Sequence, residues 1–505
     1  MNPLLKSSYF KTLKRLSLKR GASVYLVGGF LRDQFLNREG YDFDFTVSKD
    51  AIALSKAFSR IIKGAFVLLD EEHPCGRVVK KEDNSLWTFD FSDFRAPTLE
   101  KDLSLRDFTI NTLCLNIKDI NEDDFDLKGT LDYQGAVKDL TSKTVRMVAA
   151  RAFLDDPLRL MRAFSLFAQL GFKIEAKTFK QIQKDVGLIN KVSTERVREE
   201  LFKVLSSNLT FETFIMMKKA NLLDKVIPQL SIMEGIHQGG YHHLDVWHHS
   251  LEVMKQFEEL VKEIELGVIG SEAKKFIKES SRPFEVPLIK SKDSLNFIHD
   301  YLQQEIAGGH KRYALLKFAC LVHDIGKPGT KKKEANRMTF HGHEHVGADI
   351  TRIIAKQLKL SVKERHFLED MVTYHLRPGY LSNFKKPADR MVFRFLRDTK
   401  EEALSVLLLA LADQRATRGP LTTKIKHEHH RKVCWQTIEQ FIESANKNPE
   451  VRLITGNDLI KRLKLKPSPL FAKILNNVGE AQSLGKILTK DEALALARKI
   501  VKITK

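Results

Sequence analysis

The run Val24-Tyr25-Leu26-Val27-Gly28-Gly29, followed after a polar stretch by Asp42-Phe43-Asp44, constrains this chain more than any other feature. Val24–Val27 is short, apolar and β-favouring, which predicts a buried strand. The two glycines after it give a turn where backbone without side chains can pass close to a phosphate. Tyr41–Val47 is rich in aromatic and β-branched residues and predicts a second strand. Strand period then places Asp42 and Asp44 on one face. Two hard oxygen donors beside a phosphate-holding turn suit Mg²⁺-dependent nucleotidyl transfer. Each half alone is equally compatible with a plain turn and a solvated strand edge.

Further signals lie downstream. Arg106-Asp107-Phe108-Thr109-Ile110-Asn111 sets a charged pair ahead of an alternating apolar stretch, and taken alone reads as a helix start. In Asp155-Asp156-Pro157-Leu158-Arg159-Leu160-Met161-Arg162-Ala163, an acidic residue and a proline open a helix. Asp156 and Arg159 would then share one side of it, which locally is no more than a cap with an ion pair.

Together these motifs resemble the class II tRNA nucleotidyltransferase and bacterial poly(A) polymerase family. G-G-x-x-R-D matches at Gly28–Asp33, D-x-D at Asp42 and Asp44, R-D-F-T-I-N at Arg106–Asn111, and the base-reading motif at Asp155–Arg159, followed by Arg162-Ala163. The chain departs from the family pattern at Leu105, where an arginine is usual, and at Asp155, where a glutamate is usual. The resemblance implies an α+β fold: a DNA-polymerase-beta-like nucleotidyltransferase head of mixed sheet and helices, then an all-helical neck. It implies Mg²⁺ held by Asp42 and Asp44, with Asp90 as the third catalytic carboxylate and Asp93 as its rival. Gly28, Gly29, Arg32, Asp33, Arg106, Asp107, Asn111, Asp156, Arg159 and Arg162 would bind the nucleotide. Asp156, an acceptor only, suits the exocyclic amino group of cytosine or adenine, and Arg159, a donor only, the neighbouring ring nitrogen. UTP and GTP reverse both contacts, so CTP and ATP are the expected substrates.

A scattered set, His248-His249, His323-Asp324-Ile325-Gly326-Lys327, His343, His375 and Asp413, resembles the HD phosphohydrolase domain. That resemblance implies one divalent metal on His249, His323, Asp324 and Asp413, with His343 and His375 completing a second site. Imidazole with carboxylate suits Mn, Fe, Ni or Mg rather than structural zinc. His248 reads as a surface neighbour, and Gly239–His243 as a loop whose histidines line the site. His427-Glu428-His429-His430 reads as a solvated run holding no metal.

The organisation that follows is a head over 1–145, a neck over 146–235, an HD domain over 236–420 with a charged insertion at about 257–312, and a basic helical tail over 421–505. Met1–Arg20 reads as an amphipathic helix. In the tail, Lys461, Arg462, Lys464 and Lys466 are candidate contacts to tRNA phosphates, and Ser468 stands where the family's P-G-P turn has glycine. The 505 residues carry 84 Lys and Arg against 64 Asp and Glu, a net +20 that favours a polyanionic partner. Four cysteines without a C-x-x-C spacing indicate neither a zinc ribbon nor a disulfide frame. No apolar run is long enough to cross a membrane and no signal peptide is evident, so a cytoplasmic location is expected. The reading is a CCA-adding enzyme acting on tRNA with CTP and ATP. Its rivals are a poly(A) polymerase or a CC- or A-only enzyme, differing around Asp126–Gln134, and an HD phosphohydrolase whose head only binds nucleotide. Oligomeric state is not legible.

Overall fold

The computed structural model describes residues 7–70, 74–82, 85–120, 127–269, 291–334, 337–446 and 451–504. The chain divides into two compact units, Met1–Val226 and Ile227–Lys505.

The first unit begins with α1 (Ser7–Arg20), β1 (Val24–Val27), α2 (Gly29–Phe35), β2 (Asp42–Val47), α3 (Ala51–Ile62), β3 (Ala65–Asp70), β4 (Cys75–Glu82), β5 (Ser85–Asp93), α4 (Leu99–Ser104) and β6 (Cys114–Asn116). The strands form one mixed sheet in the order β3-β4-β5-β2-β1-β6, in which β2 and β5 run parallel and the other neighbours antiparallel. Alternation along β2 and β5 decides its two faces. Phe43, Phe45, Phe89 and Phe91 are fully buried. They stack in cross-strand pairs, Phe43 on Phe89 at 5.2 Å and Phe45 on Phe91 at 4.9 Å. Phe58 of α3 and Tyr9 of α1 close over Phe89 edge-on. Burying each ring contributes roughly 2 kcal/mol or more. The alternate positions, Asp42, Asp44 and Asp90, therefore point to the other face.

Helices Arg159–Leu170, Ala176–Asp185, Thr194–Leu205 and Thr210–Lys219 complete this unit. A two-residue parallel pair, Thr144–Val145 with Lys173–Ile174, ties the helical part to the head. Leu131, in the segment where CCA and poly(A) enzymes were expected to differ, exchanges backbone hydrogen bonds with Cys114 at 2.8 and 3.2 Å.

In the second unit, helix Ala403–Ala416 is buried at nearly every position and forms the hub. Helices Val246–Ile269, Arg312–Val322, Val362–Tyr374 and Lys424–Ala445 surround it. Two short antiparallel ribbons, Glu305–Ala307 with His310–Lys311 and Lys332–Glu334 with Arg337–Thr339, interrupt the helical pattern. The charged stretch at 257–312 continues helix Val246–Ile269 and then contributes helix Lys292–Gln303; Gly270 and Ser280–Pro283 lie outside the described residues. The tail packs helices Gly456–Leu463, Pro469–Ser483 and Lys490–Thr504 around Leu459, Ile474, Val478 and Ala497. Ser468 has φ −161°, an extended backbone that any residue adopts, so the turn does not require glycine.

Candidate active site and candidate metal centre

The open face of the head sheet gathers three carboxylates. Asp42 is exposed and Asp44 half-buried, and the β2–β5 register sets Asp44 directly beside Asp90. The β1–β2 register sets Val27 beside Asp44, so the glycine turn begins at that carboxylate. Gly28 has φ +82°, and a Cβ there would stand 3.1 Å from both Asp44 Oδ2 and Arg106 Nη1. Only glycine tolerates both conditions. Burial, reinforced by Asp90 and Asp42, pushes the Asp44 carboxyl above the ordinary range against the pull of Arg106.

Asp90 is gripped by Arg77, which donates from Nε to Oδ1 at 2.8 Å and from Nη2 to Oδ2 at 2.7 Å. Arg77 lies opposite it on β4. Asp93 is engaged elsewhere: its Oδ1 accepts the Ala51 N–H at 2.8 Å, capping α3.

The motif segments of the head join into one polar network. Arg32 holds Asp33 at 2.9 and 3.0 Å and donates from Nη1 to Asn111 Oδ1 at 2.8 Å. Asn111 Nδ2 donates to Asp107 at 3.2 Å, and Arg162 Nη2 pairs with the same carboxylate at 3.0 Å. Burial alone would raise the Asp107 carboxyl, but Arg162, the Phe108 N–H and Asn111 together hold it below the usual range. Gly29, one residue into the turn, opens α2.

The expectation that Asp156 and Arg159 share a helix side fails. The helix starts at Arg159, and Asp156 precedes it with φ −146° and ψ 101°. Pro157 is the cause, since a residue before proline is pushed to extended backbone. Asp156 Oδ1 accepts the Leu158 N–H at 3.2 Å, and Arg196 Nη2 pairs with Oδ2 at 3.0 Å. The Arg159 guanidinium is buried and donates to the carbonyls of Leu105 at 2.9 Å and Ala152 at 3.1 Å. Leu105 thus enters the site through its backbone. Nothing local in the sequence distinguished Arg196.

The second unit holds the histidines. His249, His323 and Asp413 form one group of potential ligand atoms, and Asp324, His343 and His375 a second. His323, His343 and His375 each terminate a local turn so that Nδ1 meets the carbonyl three residues back: Cys320 at 2.8 Å, Phe340 at 2.8 Å and Val372 at 2.7 Å. With Nδ1 donating, every Nε2 is left as an acceptor. The Nε2 atoms of His343 and His375 face each other at 3.2 Å, which calls for a shared proton or a cation. His249 Nε2 and His323 Nε2 are buried without an aligned hydrogen bond, although Asp413 Oδ1 is 3.0 Å from the first and Asp324 Oδ2 3.1 Å from the second. This donor set fits divalent metal ions. Lys327 Nζ lies 2.6 Å from Asp324 Oδ2 and also donates to Gln238 at 2.6 Å. A Cβ on Gly326 would meet the His343 carbonyl at 2.1 Å, so glycine there is what lets the two ligand segments close.

His248 is exposed and bonded to Asp245, as its surface reading requires. His242 packs edge-on to His249 with ring centroids 4.6 Å apart, and burial pushes it down to about 3. His430 departs from the solvated reading: it is half-buried, with Cys434 Sγ 3.7 Å from Nδ1, and burial pushes it down to about 4. Packing of its helix against Ala403–Ala416 is the reason. Lys461, Arg462, Lys464 and Lys466 are exposed at the end of helix Gly456–Leu463 and in the turn beyond.

A carboxylate cluster flush with a glycine turn, in a chain that also carries four histidines and two aspartates in two largely buried groups, defines a nucleotidyltransferase head and a candidate HD-type metal centre. Three family models match in succession: the Poly A polymerase head domain over 24–146, the probable RNA and SrmB-binding site of polymerase A over 171–233, and the HD domain over 246–418. Over most of its length the chain is thus similar to the tRNA nucleotidyltransferase and poly(A) polymerase family, in its HD-bearing form. It is 28% identical to an A-adding tRNA nucleotidyltransferase of Deinococcus radiodurans, covering 94% of each chain. It is 27% identical to a CC-adding tRNA nucleotidyltransferase of Thermus thermophilus, covering 94% of this chain and 92% of that one. In fold it is similar to the Thermotoga maritima CCA-adding enzyme complexed with tRNA, at a TM-score of 0.59 and 16% identity, covering 99% of this chain and 95% of that one. Among the described residues no helix is long and apolar enough to cross a membrane.

Proposed function

We propose that this protein builds or repairs the 3′-terminal CCA of tRNA from CTP and ATP, with release of pyrophosphate. The observation that carries the reading is the pairing of Asp44 with Asp90 beside Gly28, in a head linked through Asn111 and Asp107 to the segment after Asp156. Mg²⁺ held by Asp42 and Asp44 would neutralise the triphosphate and lower the pKa of the RNA 3′-hydroxyl. Gly28 and Gly29 leave room for the phosphates, and the half-buried Arg106 meets their charge. The 3′-oxygen attacks the α-phosphorus and pyrophosphate departs. Asp90, fixed by Arg77, holds negative charge beside the pair.

Asp156 accepts from the exocyclic amino group of the base and Arg159 donates to the adjacent ring nitrogen. For this, Arg159 exchanges its carbonyl partners for the base, while Arg196 keeps Asp156 in place. UTP and GTP leave both groups unpaired and are rejected. The exposed cations of the tail, Lys461, Arg462, Lys464 and Lys466, contact tRNA phosphates. A tRNA substrate makes the cytoplasm the place of action.

The HD centre is read as a phosphohydrolase. A divalent ion (Mn, Fe, Ni or Mg) on His249, His323, Asp324 and Asp413, with His343 and His375 at a second position, would supply Lewis acidity to a phosphoester and its attacking water. Lys327 would meet the phosphoester charge.

A second reading, addition of CC alone or A alone, is favoured by the CC- and A-adding relatives that span 94% of this chain. Extension of a labelled tRNA lacking CCA, with CTP, ATP, both, or UTP and GTP, tests it. C, C and A followed by a stop supports the first reading, and a stop at CC or a single A supports the second. No addition, with metal-dependent phosphatase activity intact, moves the function to the HD centre.

A further inference from the structure

The second unit carries a cationic cavity that neither reading uses. Helix Asp389–Thr399 presents Arg390, Arg394 and Arg397 along one face, and helix Pro469–Ser483 presents Lys473, Asn476, Asn477 and Glu480. With Arg377 and Asp398, these helices line an open cavity of about 390 Å³, a volume within the range of small-ligand sites. Arg377, Arg394, Arg397 and Lys473 line it against only Asp398 and Glu480. Both anions are occupied. Asp398 accepts from Arg377 Nη1 at 2.9 Å and Arg397 Nε at 2.8 Å. Glu480 accepts from Arg394 Nε at 3.0 Å and pairs with Arg390. The carboxylates orient the arginines and do not neutralise the lining. Arg377 is further fixed between the rings of Tyr374 at 5.7 Å and Phe395 at 5.8 Å. A hollow of about 210 Å³ adjoins it, sharing Arg377 and Arg394 and walled by Tyr380, Leu381, Met391 and Phe395. Tyr380 is 56% exposed, a ring held open at the rim.

A cationic, amide-lined cavity continuous with an aromatic and aliphatic shelf matches a phosphate joined to a flat heterocycle. We propose that this double cavity binds a nucleoside phosphate, with its phosphate among Arg394, Arg397 and Lys473 and its base against Tyr380. The site lies on different residues from the head's nucleotide site. A free mononucleotide and one nucleotide of an RNA strand present the same chemistry, and only the RNA source rests on the tRNA reading.

The test uses the full chain. Asn476→Asp adds a carboxylate to the cavity without removing an ion pair, Lys473→Ala removes a cation, and Tyr380→Ala removes the shelf ring without touching the charges. Calorimetry with adenosine 5′-monophosphate and filter binding with tRNA lacking CCA are the two arms, with the melting transition and addition to a short acceptor minihelix as controls. Affinity for at least one ligand falls about tenfold in the variants, the effect of a lost charge-assisted contact, while the controls hold. Loss confined to the monophosphate assigns a free nucleotide. Loss confined to tRNA, with a salt slope reduced by about one in Lys473→Ala, assigns an RNA nucleotide. Affinities within about twofold of wild type for both ligands, in every variant that melts normally, overturn the proposal.

Discussion

The two candidate centres of this chain are built on opposite plans. The head's carboxylates sit on an open sheet face, with Asp42 exposed and Asp90 held by an arginine. The HD cluster is buried, and three of its histidines have their ring orientation fixed by backbone carbonyls. An open, all-oxygen site suits an ion that arrives and leaves with a polyphosphate. A buried imidazole and carboxylate site with locked ligands suits an ion that stays.

The contrast breaks most visibly at Asp44. Asp44→Ala should lower nucleotide addition by roughly a thousandfold or more while metal-dependent phosphohydrolysis is retained. Parallel loss of both activities in gel-extension and phosphate-release assays would erase the distinction between the centres. His323→Ala should do the reverse. Bound transition metal, read by elemental analysis of the purified protein, falls by most of its wild-type content, and tRNA extension with Mg²⁺ stays within about twofold of wild type.

Smaller changes sharpen the comparison. Gly28→Ala forces a side chain between Asp44 and Arg106 at an unfavourable φ, at a cost of roughly 1–3 kcal/mol. Addition should fall by tens of fold in steady-state assays, against no change in phosphohydrolysis. Arg196→Ala releases Asp156 without touching the carboxylates, so CTP and ATP are still used. Their advantage over UTP and GTP should narrow by about tenfold, measured as ratios of kcat/KM.

Much of the head was legible because it depends on strand period. Alternating phenylalanines and aspartates in β2 and β5 fix both the core face and the acidic face. The Arg77–Asp90 pair was within reach: pairing Glu82 with Ser85 and counting outward brings the two opposite each other. The parallel alignment of β2 with β5 was not, because a crossover through α3, β3 and β4 sets it. Around Asp156 the helical spacing misled, since Pro157 denies that residue a helical backbone. Arg196 and His430 were illegible for another reason. Their surroundings come from helix packing between distant segments, which no local pattern records. In the HD unit the candidate ligands stood in the sequence as residue types in order, but their division into two groups depends on the buried helix that carries Asp413.

The carbonyl contacts at His323, His343 and His375 carry a consequence for metal identity. Each ring is aimed by a backbone oxygen three residues back, a feature of the chain's own turns and not of any bound ion. The ligand atoms are therefore aimed before any ion arrives, and a divalent ion entering there, as proposed, would be sorted by how well it accepts that fixed arrangement. An ion whose preferred geometry departs from that arrangement would then bind more weakly however abundant it is, and the proposed hydrolysis would follow the ion that fits.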